Sequence, residues 1–204
     1  MATGEEDGPR APPESASLTD ARLLSSAFTD YPLSTWLFGY GEHTDTPRMK
    51  LFDFLLSQAK ARGALLDRSA NGQALAIWMA SNQLPLFPEQ DCEEAVITLK
   101  GLVGPQVAGK LLKLHREADR YHPSKLHDYL FLAAVHPALQ RSGVGRDLIL
   151  KHLHAGRGDR GFFLETSNIA NVRFYEALGF AVTAEYRLLP PAPPIWTMWH
   201  SPVS

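Results

Sequence analysis

Four short runs between residues 129 and 175 decide the fold: YLFLAAV at 129–135, QRSGVG at 140–145, FFLET at 162–166 and NVRFY at 171–175. The first and third runs are largely apolar and of strand length, and a helix-like pattern lies between them. A strand, a helix and a second strand in this order are typical of a parallel strand pair. The segment therefore predicts a mixed α and β fold with a parallel pair at its centre.

The glycine-containing loop before the helix indicates a ligand site. Gly143 and Gly145 lack the β-carbons that would keep a ligand away from the backbone. The helix that follows directs free N–H groups and the positive end of its dipole at the same place. The loop therefore predicts a site for an anionic ligand such as a pyrophosphate.

A nicotinamide dinucleotide is an alternative ligand for this loop. Glu165 ends the next strand about 20 residues later, where a ribose-binding acid would lie. However, Leu148 occupies the third glycine position, and residues 136–141 separate the strand from the glycines, whereas a nicotinamide loop turns directly from strand to helix. These two differences favour another pyrophosphate-containing ligand.

Composition limits the class of protein. The 204 residues suit one domain at residues 18–204, after a Gly-, Pro- and acid-rich tail at residues 1–17 that we expect to be disordered. The net charge of −2 and the scattered Lys and Arg argue against nucleic-acid binding. Cys92 is the single cysteine, and no apolar run reaches the ~20 residues that span a bilayer. Because Glu5 and Glu6 replace the cations of a signal peptide, we expect a cytoplasmic protein with no membrane partner.

Periodicity and turn residues predict the remaining elements. Thr19 or Asp20 is a candidate helix cap, and Asn71-Gly72 suits a hairpin turn. The predicted helices are 18–29, 47–63, 88–121 (divided into two pieces by Gly101 and Gly104), 144–155 and 169–178. The predicted strands are 64–67, 74–79, 129–135, 162–166, 180–188 and 195–199.

The chain resembles the GNAT acetyltransferase superfamily, and within it the puromycin N-acetyltransferase-like enzymes. The resemblance is carried by AFTDYP at 27–32, the strand and loop at 129–145, FLETS at 163–167, the run from Asn171 to Ala184, and WTM at 196–198. It implies an α+β fold with a central, mostly antiparallel sheet, a splayed parallel strand pair and helices on both faces. The sequence departs from the superfamily where residues 9–17 replace the usual first strand.

The resemblance also implies that acetyl-CoA is the co-substrate and lies between the splayed strands. The residues expected to bind it are Ala133, Ala134, Val135, Arg141, Ser142, Gly143, Val144, Gly145, Arg146 and Asn171. The arginine side chains would add charge-assisted contacts to the pyrophosphate.

Candidate catalytic residues lie near the ends of the second parallel strand and the last helix. Tyr175 matches the tyrosine that protonates the departing thiolate in this superfamily, because a phenol stays protonated at neutral pH. Glu165 is the first candidate for the general base, since a carboxylate in an apolar strand is costly unless it is paired or functional. A structural ion pair with Arg187 is the alternative for Glu165.

Two further expectations concern the proton route and the acceptor. His127, Asp128 and His136 flank the first splayed strand and are candidates for a water-mediated proton relay, and Asp128 is expected to make the acyl site more polar. Tyr31 matches a residue of the segment that closes over the acceptor, and it is the candidate substrate-binding residue.

The sequence as a whole predicts an acetyl-CoA-dependent N-acetyltransferase that modifies a primary amine of a small molecule, either an antibiotic or a metabolite, by direct transfer in a ternary complex. No spacing of His and carboxylate residues indicates a metal site. A non-catalytic acyl-CoA-binding module and an acetyltransferase of a protein lysine or N-terminus remain alternatives. We expect a monomer or a homodimer.

Overall fold

The computed structural model describes residues 16–87, 92–155 and 159–202. Its helices are α1 (Ala16–Ala27), α2 (Pro32–Phe38), α3 (Asp45–Ala61), α4 (Cys92–Ala118), α5 (Val144–Ala155) and α6 (Ile169–Glu176). Its strands are β1 (Leu65–Arg68), β2 (Ala74–Ala80), β3 (His127–Val135), β4 (Gly161–Thr166), β5 (Ala181–Tyr186) and β6 (Ile195–His200). Short 3-10 turns occur at Glu42–Thr44, Ser81–Gln83, Asp119–Tyr121 and Pro137–Leu139.

The strands of the described ranges form one sheet in the order β1-β2-β3-β4-β6-β5. Every neighbouring pair is antiparallel except β3 and β4, which are parallel. The parallel pairing ends at Leu130 and Leu164, although β3 continues to Val135. The two central strands therefore splay apart in the second half of β3.

A β-bulge lies where the two parallel strands separate. Ile77 and Trp78 of β2 face Leu132 and Leu130 of β3, so Phe131 is the extra residue on β3. A bulge bends its strand and increases the local twist. This bend turns the end of β3 away from β4 and opens the sheet.

Strand β2 contributes side chains to two hydrophobic cores, one on each face of the sheet, because successive side chains of a strand point to opposite faces. Its residues Ala74, Ala76 and Trp78 pack with α5 and α6. The alternate residues Leu75, Ile77 and Met79 pack with α1 and α3. Helices therefore cover both faces, and the expected fold class is confirmed.

Local sequence explains the helices that frame the site. Tyr31 is extended before Pro32, which occupies the first turn of α2, and α2 stops at Gly39 with φ of 83°. Helix α4 breaks at Gly104, where φ is 81° and Pro105 follows, while Gly101 stays helical. The expected division of this segment into two helical pieces is thus confirmed, and the break lies at Gly104.

Other expectations differ from the structure at element boundaries. Helix α2 was not among the predicted elements, and α1 begins at Ala16, within the segment expected to be a tail. Residues 1–15 of that tail, and the predicted helix start at residues 88–91, lie outside the described residues. The described residues begin with α1, and the first described strand of the sheet is β1.

Candidate active site

A cleft opens where β3 and β4 splay, and we call it the splay cleft. It has a volume of about 480 Å³ and lies against the end of β3, the loop before α5, and the start of α6. The residues that line it include Phe28, Ala76, Ala133, Ala134, Val135, Gln140, Arg141, Gly143, Gly145, Arg146, Asn168, Asn171, Phe174 and Tyr175. Eight of the ten residues expected to bind the co-substrate therefore line one cavity.

The loop before α5 has the geometry of an anion site. Gly143 has φ of +93°, and a β-carbon at Gly145 would lie 3.0 Å from Cγ2 of Val135. A side chain at either position would be strained or crowded. Arg141, with φ of 64°, and Arg146 line the cleft beside them, so cationic groups and the start of α5 face the same space.

Two of the expected binding residues do not line the cleft. The hydroxyl of Ser142 donates to the carbonyl oxygen of Leu139 at 2.6 Å, and Val144 packs against the core beneath α5. Both residues shape the loop through these contacts. The main-chain N–H of Ser142 also donates to the Leu139 carbonyl oxygen, at 3.3 Å, whereas Val144 is the first residue of α5.

A second cavity, which we call the leucine pocket, lies on the other side of Tyr175 and has a volume of about 200 Å³. Its polar lining consists of Tyr31, Ser34, Tyr129, Glu165, Thr166, Ser167, Asn171, Tyr175 and Tyr186. Its apolar lining consists of Phe28, Leu33, Leu37, Phe38, Leu51, Phe52, Leu55, Leu111, Leu114, Leu130, Phe131, Leu132, Ala133 and Ile195.

Glu165 lies buried in the leucine pocket between two phenols. Tyr186 donates a hydrogen bond to Oε1 at 2.8 Å, and Tyr129 donates one to Oε2 at 3.2 Å. Burial raises the pKa of Glu165, and the two phenol hydrogen bonds offset part of this rise. The alternative ion pair with Arg187 is wrong, because Arg187 contacts Glu185 instead.

Tyr175 lies where the two cavities meet. Its side chain is 7% exposed, and it lines both the splay cleft and the leucine pocket. Burial, with a smaller contribution from the Tyr31 phenol, raises the pKa of Tyr175 well above its ordinary value. The phenol is therefore a neutral proton donor at physiological pH.

Tyr31 also lines the leucine pocket, but its hydroxyl is engaged with the protein. It accepts a hydrogen bond of 2.7 Å from the main-chain N–H of Ser167 and lies 3.1 Å from Oγ1 of Thr166. The segment before α2 is thereby attached to the end of β4.

The three relay candidates lie away from both cavities. Asp128 contacts Arg160 and His152, while His127 is 1% exposed with Nδ1 2.7 Å from the Lys125 carbonyl oxygen. Burial acts to raise the pKa of Asp128, but the hydrogen bonds from His152 and Arg160 outweigh burial and lower it. His136 accepts from the Ala138 N–H outside the cavities. The expectation that Asp128 makes the acyl site polar is wrong, because Asp128 lies at the closed end of the parallel pair.

Sequence reasoning missed Tyr129, Tyr186 and Ser34. Tyr129 is the one residue with a polar group in the side chain in the run 129–135, which was an available signal, whereas Tyr186 reaches Glu165 only through the folded sheet. Among the residues that the structure describes, no group of three or more His, Cys, Asp or Glu side chains is placed to hold a metal ion. Nor is any described helix both long and apolar enough to cross a bilayer.

Comparison with known proteins concerns the family and the fold. Residues 104–182 match the family described as the acetyltransferase (GNAT) domain. The match covers less than half of the 204 residues and shows that this part of the chain is similar to that family.

Solved structures with the same fold include three acetyltransferases. One is described as histone acetyltransferase HPA2 and related acetyltransferase from Corynebacterium glutamicum, with 20% identity, a TM-score of 0.66, and coverage of 95% of this chain and 96% of that one. Arylalkylamine N-acetyltransferase 2 from Aedes aegypti has 17% identity, a TM-score of 0.59, and coverage of 93% and 97%. An agmatine N-acetyltransferase variant has 15% identity, a TM-score of 0.58, and coverage of 91% and 94%. At these identities the likeness concerns the fold.

Proposed function

We propose that the protein is an acetyl-CoA-dependent N-acetyltransferase that acetylates a primary amine of a small molecule by direct transfer in a ternary complex. One observation carries the proposal: the splay cleft and the leucine pocket share Phe28, Ala133, Asn171 and Tyr175. Two ligands bound in these cavities would meet beside the Tyr175 phenol. Such proximity removes most of the entropic cost of bringing two reactants together.

The splay cleft suits acetyl-CoA by the chemistry of its lining. The part of β3 that lacks a β4 partner offers backbone N–H and C=O groups to the pantetheine amides. The loop N–H groups near Gly143 and Gly145, with Arg141 and Arg146, suit its pyrophosphate. When bound, acetyl-CoA supplies the activated acetyl thioester.

Glu165 is the proposed general base. Its carboxylate accepts hydrogen bonds from Tyr129 and Tyr186, so it is held in one orientation inside the leucine pocket. An amine is protonated at neutral pH and must lose a proton before its nitrogen is nucleophilic. The raised pKa of Glu165 makes its carboxylate a stronger base than an exposed one.

Tyr175 is the proposed general acid. Its side chain is buried, its phenol has a raised pKa and stays protonated, and the residue lines both cavities. Oη of Tyr175 gives its proton to the departing sulfur as the new amide bond forms. Asn171 lies at the same junction and is positioned to hold the arm of the donor.

A small-molecule acceptor suits the leucine pocket, since about 200 Å³ of mainly apolar space leaves little room for a peptide segment. The similar structures include enzymes named for arylalkylamines and for agmatine. The resemblance to puromycin N-acetyltransferase-like enzymes adds aminoacyl nucleosides to the candidates. A cytoplasmic location and a monomeric or homodimeric state belong to the same proposal.

The test is steady-state kinetics of thiol release, with acetyl-CoA and each amine of a panel varied together. Arylalkylamines, agmatine, polyamines, puromycin and short peptides form the panel. Direct transfer predicts intersecting initial-velocity patterns for at least one amine. Acetyl-CoA binding by calorimetry without release for any amine would favour the non-catalytic acyl-CoA-binding alternative, and absence of binding would refute the proposal.

A further inference from the structure

The charge of the leucine pocket restricts the acceptor. Among the described residues that line it, Glu165 is the one side chain with a formal charge, and its neighbours on the polar wall are phenols, hydroxyls and one amide. The opposite wall is built from α2, α3 and α4 and carries leucine and phenylalanine side chains. The pocket therefore has one place for an ammonium group.

A second cation would lie against the apolar wall. Leu111 and Leu114 of α4, with Leu51 and Leu55 of α3, offer it no hydrogen-bond acceptor. An unpaired buried charge costs enough free energy to offset the binding of a small amine. Short diamines and guanidino amines are thus disfavoured.

The size of the leucine pocket suits a ring. A dry, apolar cavity of ~150 Å³ accommodates benzene, so about 200 Å³ accommodates an aromatic ring and a short arm. The apolar wall removes such a body from water, and this burial is the main source of affinity for it.

A polar group of the pocket still lacks a partner. Ser34 of α2 lines the cavity and is 6% exposed, yet its hydroxyl oxygen makes no hydrogen bond with any described residue. A buried hydroxyl without a partner is destabilising, so it marks a position where a ligand can supply the missing bond. The neighbouring Leu33 N–H is already paired with Oγ of Ser167, which holds Ser34 in place.

We infer that the acceptor is a primary monoamine with a ring-sized apolar body and a hydrogen-bonding substituent that reaches Ser34. The inference rests on the proposed function, because it describes the acceptor of the same site. Its ammonium group would meet Glu165, its ring would lie among the leucines, and its substituent would pair with the Ser34 hydroxyl.

The test compares kcat/KM for phenylethylamine, its ring-hydroxylated forms including tyramine, putrescine and agmatine. The unpaired second charge predicts a preference of at least ~10-fold for phenylethylamine over putrescine and agmatine. Because one hydrogen bond to Ser34 is gained, we expect the kcat/KM of at least one hydroxylated amine to exceed that of phenylethylamine by about 5-fold. Equal or better use of the diamine or agmatine would overturn the inference.

Variants separate the two halves of the inference. Ser34→Ala reduces the ratio of hydroxylated amine to phenylethylamine to about one, because one neutral hydrogen bond is lost. Ser57→Ala is the matched control, since Ser57 is exposed on α3 and its hydroxyl bonds to the Phe54 carbonyl. An unchanged ratio in Ser34→Ala would overturn the role of Ser34.

Leu114→Trp fills the pocket and is expected to lower the kcat/KM for phenylethylamine relative to that for ethylamine by roughly 10-fold.

Calorimetry of the same amines with CoA present keeps this inference distinct from the proposed function. If the amines bind in the expected order but no acetyl group is transferred, the proposed transferase fails and the acceptor class stands. If transfer occurs with diamines preferred, the acceptor class fails and the transferase stands.

Discussion

The main-chain N–H of Ser167 donates a hydrogen bond of 2.7 Å to the phenol oxygen of Tyr31. The hydroxyl of Ser167 in turn accepts from the N–H of Leu33 at 3.2 Å. These contacts attach the start of α2, which forms one wall of the leucine pocket, to the end of the strand that carries Glu165. Tyr31 therefore positions this wall of the leucine pocket.

Replacing Tyr31 with Phe is expected to raise the KM for the amine by roughly 5- to 10-fold, because a buried N–H loses its acceptor and the wall loosens. Affinity for acetyl-CoA should change little. Tyr40→Phe is the control, since Tyr40 is 81% exposed. A fall in kcat with KM unchanged would instead indicate that the Tyr31 hydroxyl acts in the chemical step.

Replacing Tyr175 with Phe removes the proposed proton donor and keeps the ring in the core beside Phe180. We expect kcat to fall by roughly 10²- to 10⁴-fold, the usual range for a general acid, with acetyl-CoA binding retained. Single-turnover measurements with saturating acetyl-CoA provide the check, again with Tyr40→Phe as control. Nearly full activity of Tyr175→Phe would rule out the phenol as the acid.

Replacing Glu165 with Gln should lower kcat by about 10²-fold or more and remove the acidic limb of the kcat/KM profile. In the wild type we expect kcat/KM to fall on the acidic side at a pH above the ordinary pKa range of a glutamate, because burial raises the pKa of Glu165. Glu185→Gln is the matched control, because Glu185 is an exposed glutamate in the same sheet. An acidic limb that persists in Glu165→Gln would belong to another group.

The same pKa shift makes a stability prediction with a defined sign. A folded-state pKa above the unfolded value means that the folded chain holds the proton more tightly. The stabilising contribution is therefore full below the unfolded pKa of about 4.3 and is lost as pH rises through the folded pKa. Relative to wild type, Glu165→Gln should become progressively more stable over that pH interval, as measured by urea unfolding.

Replacing Gly145 with Ala tests the loop of the splay cleft. The new β-carbon would lie 3.0 Å from Cγ2 of Val135, so either the side chain of Val135 or the loop must shift. We expect the Kd for CoA to rise roughly 10-fold. Gly109→Ala is the control, because no atom lies within 4 Å of its new β-carbon. Equal CoA affinity in both variants would place the pyrophosphate elsewhere.

Local patterns were sufficient for much of the fold. The bounds of α5, Val144–Ala155, agree with the prediction because an apolar stripe of helical period follows a glycine turn. Helix α2 escaped notice because its seven residues, PLSTWLF, are too few to establish a helical period. It forms because Pro32 starts the helix and Ser167 binds the N–H of Leu33.

The environment of Glu165 depends on contacts that a single sequence does not specify. Tyr186 lies on β5, which is separated from β4 by β6 in the sheet, and yet its phenol reaches the carboxylate. Arg187, the next residue, was the more obvious partner by charge, but it points to Glu185. The order of the strands and the direction of the side chains therefore determine that Glu165 pairs with Tyr186 rather than with Arg187.

The most direct measurement incubates the protein with a primary amine and acetyl-CoA that carries an isotopically labelled acetyl group, followed by mass spectrometry of the amine. The account predicts that the amine gains one labelled acetyl group for each free thiol released, and that Tyr175→Phe slows both together. Thiol release with no label on any amine would contradict transfer to an amine, and so would label found on the protein itself.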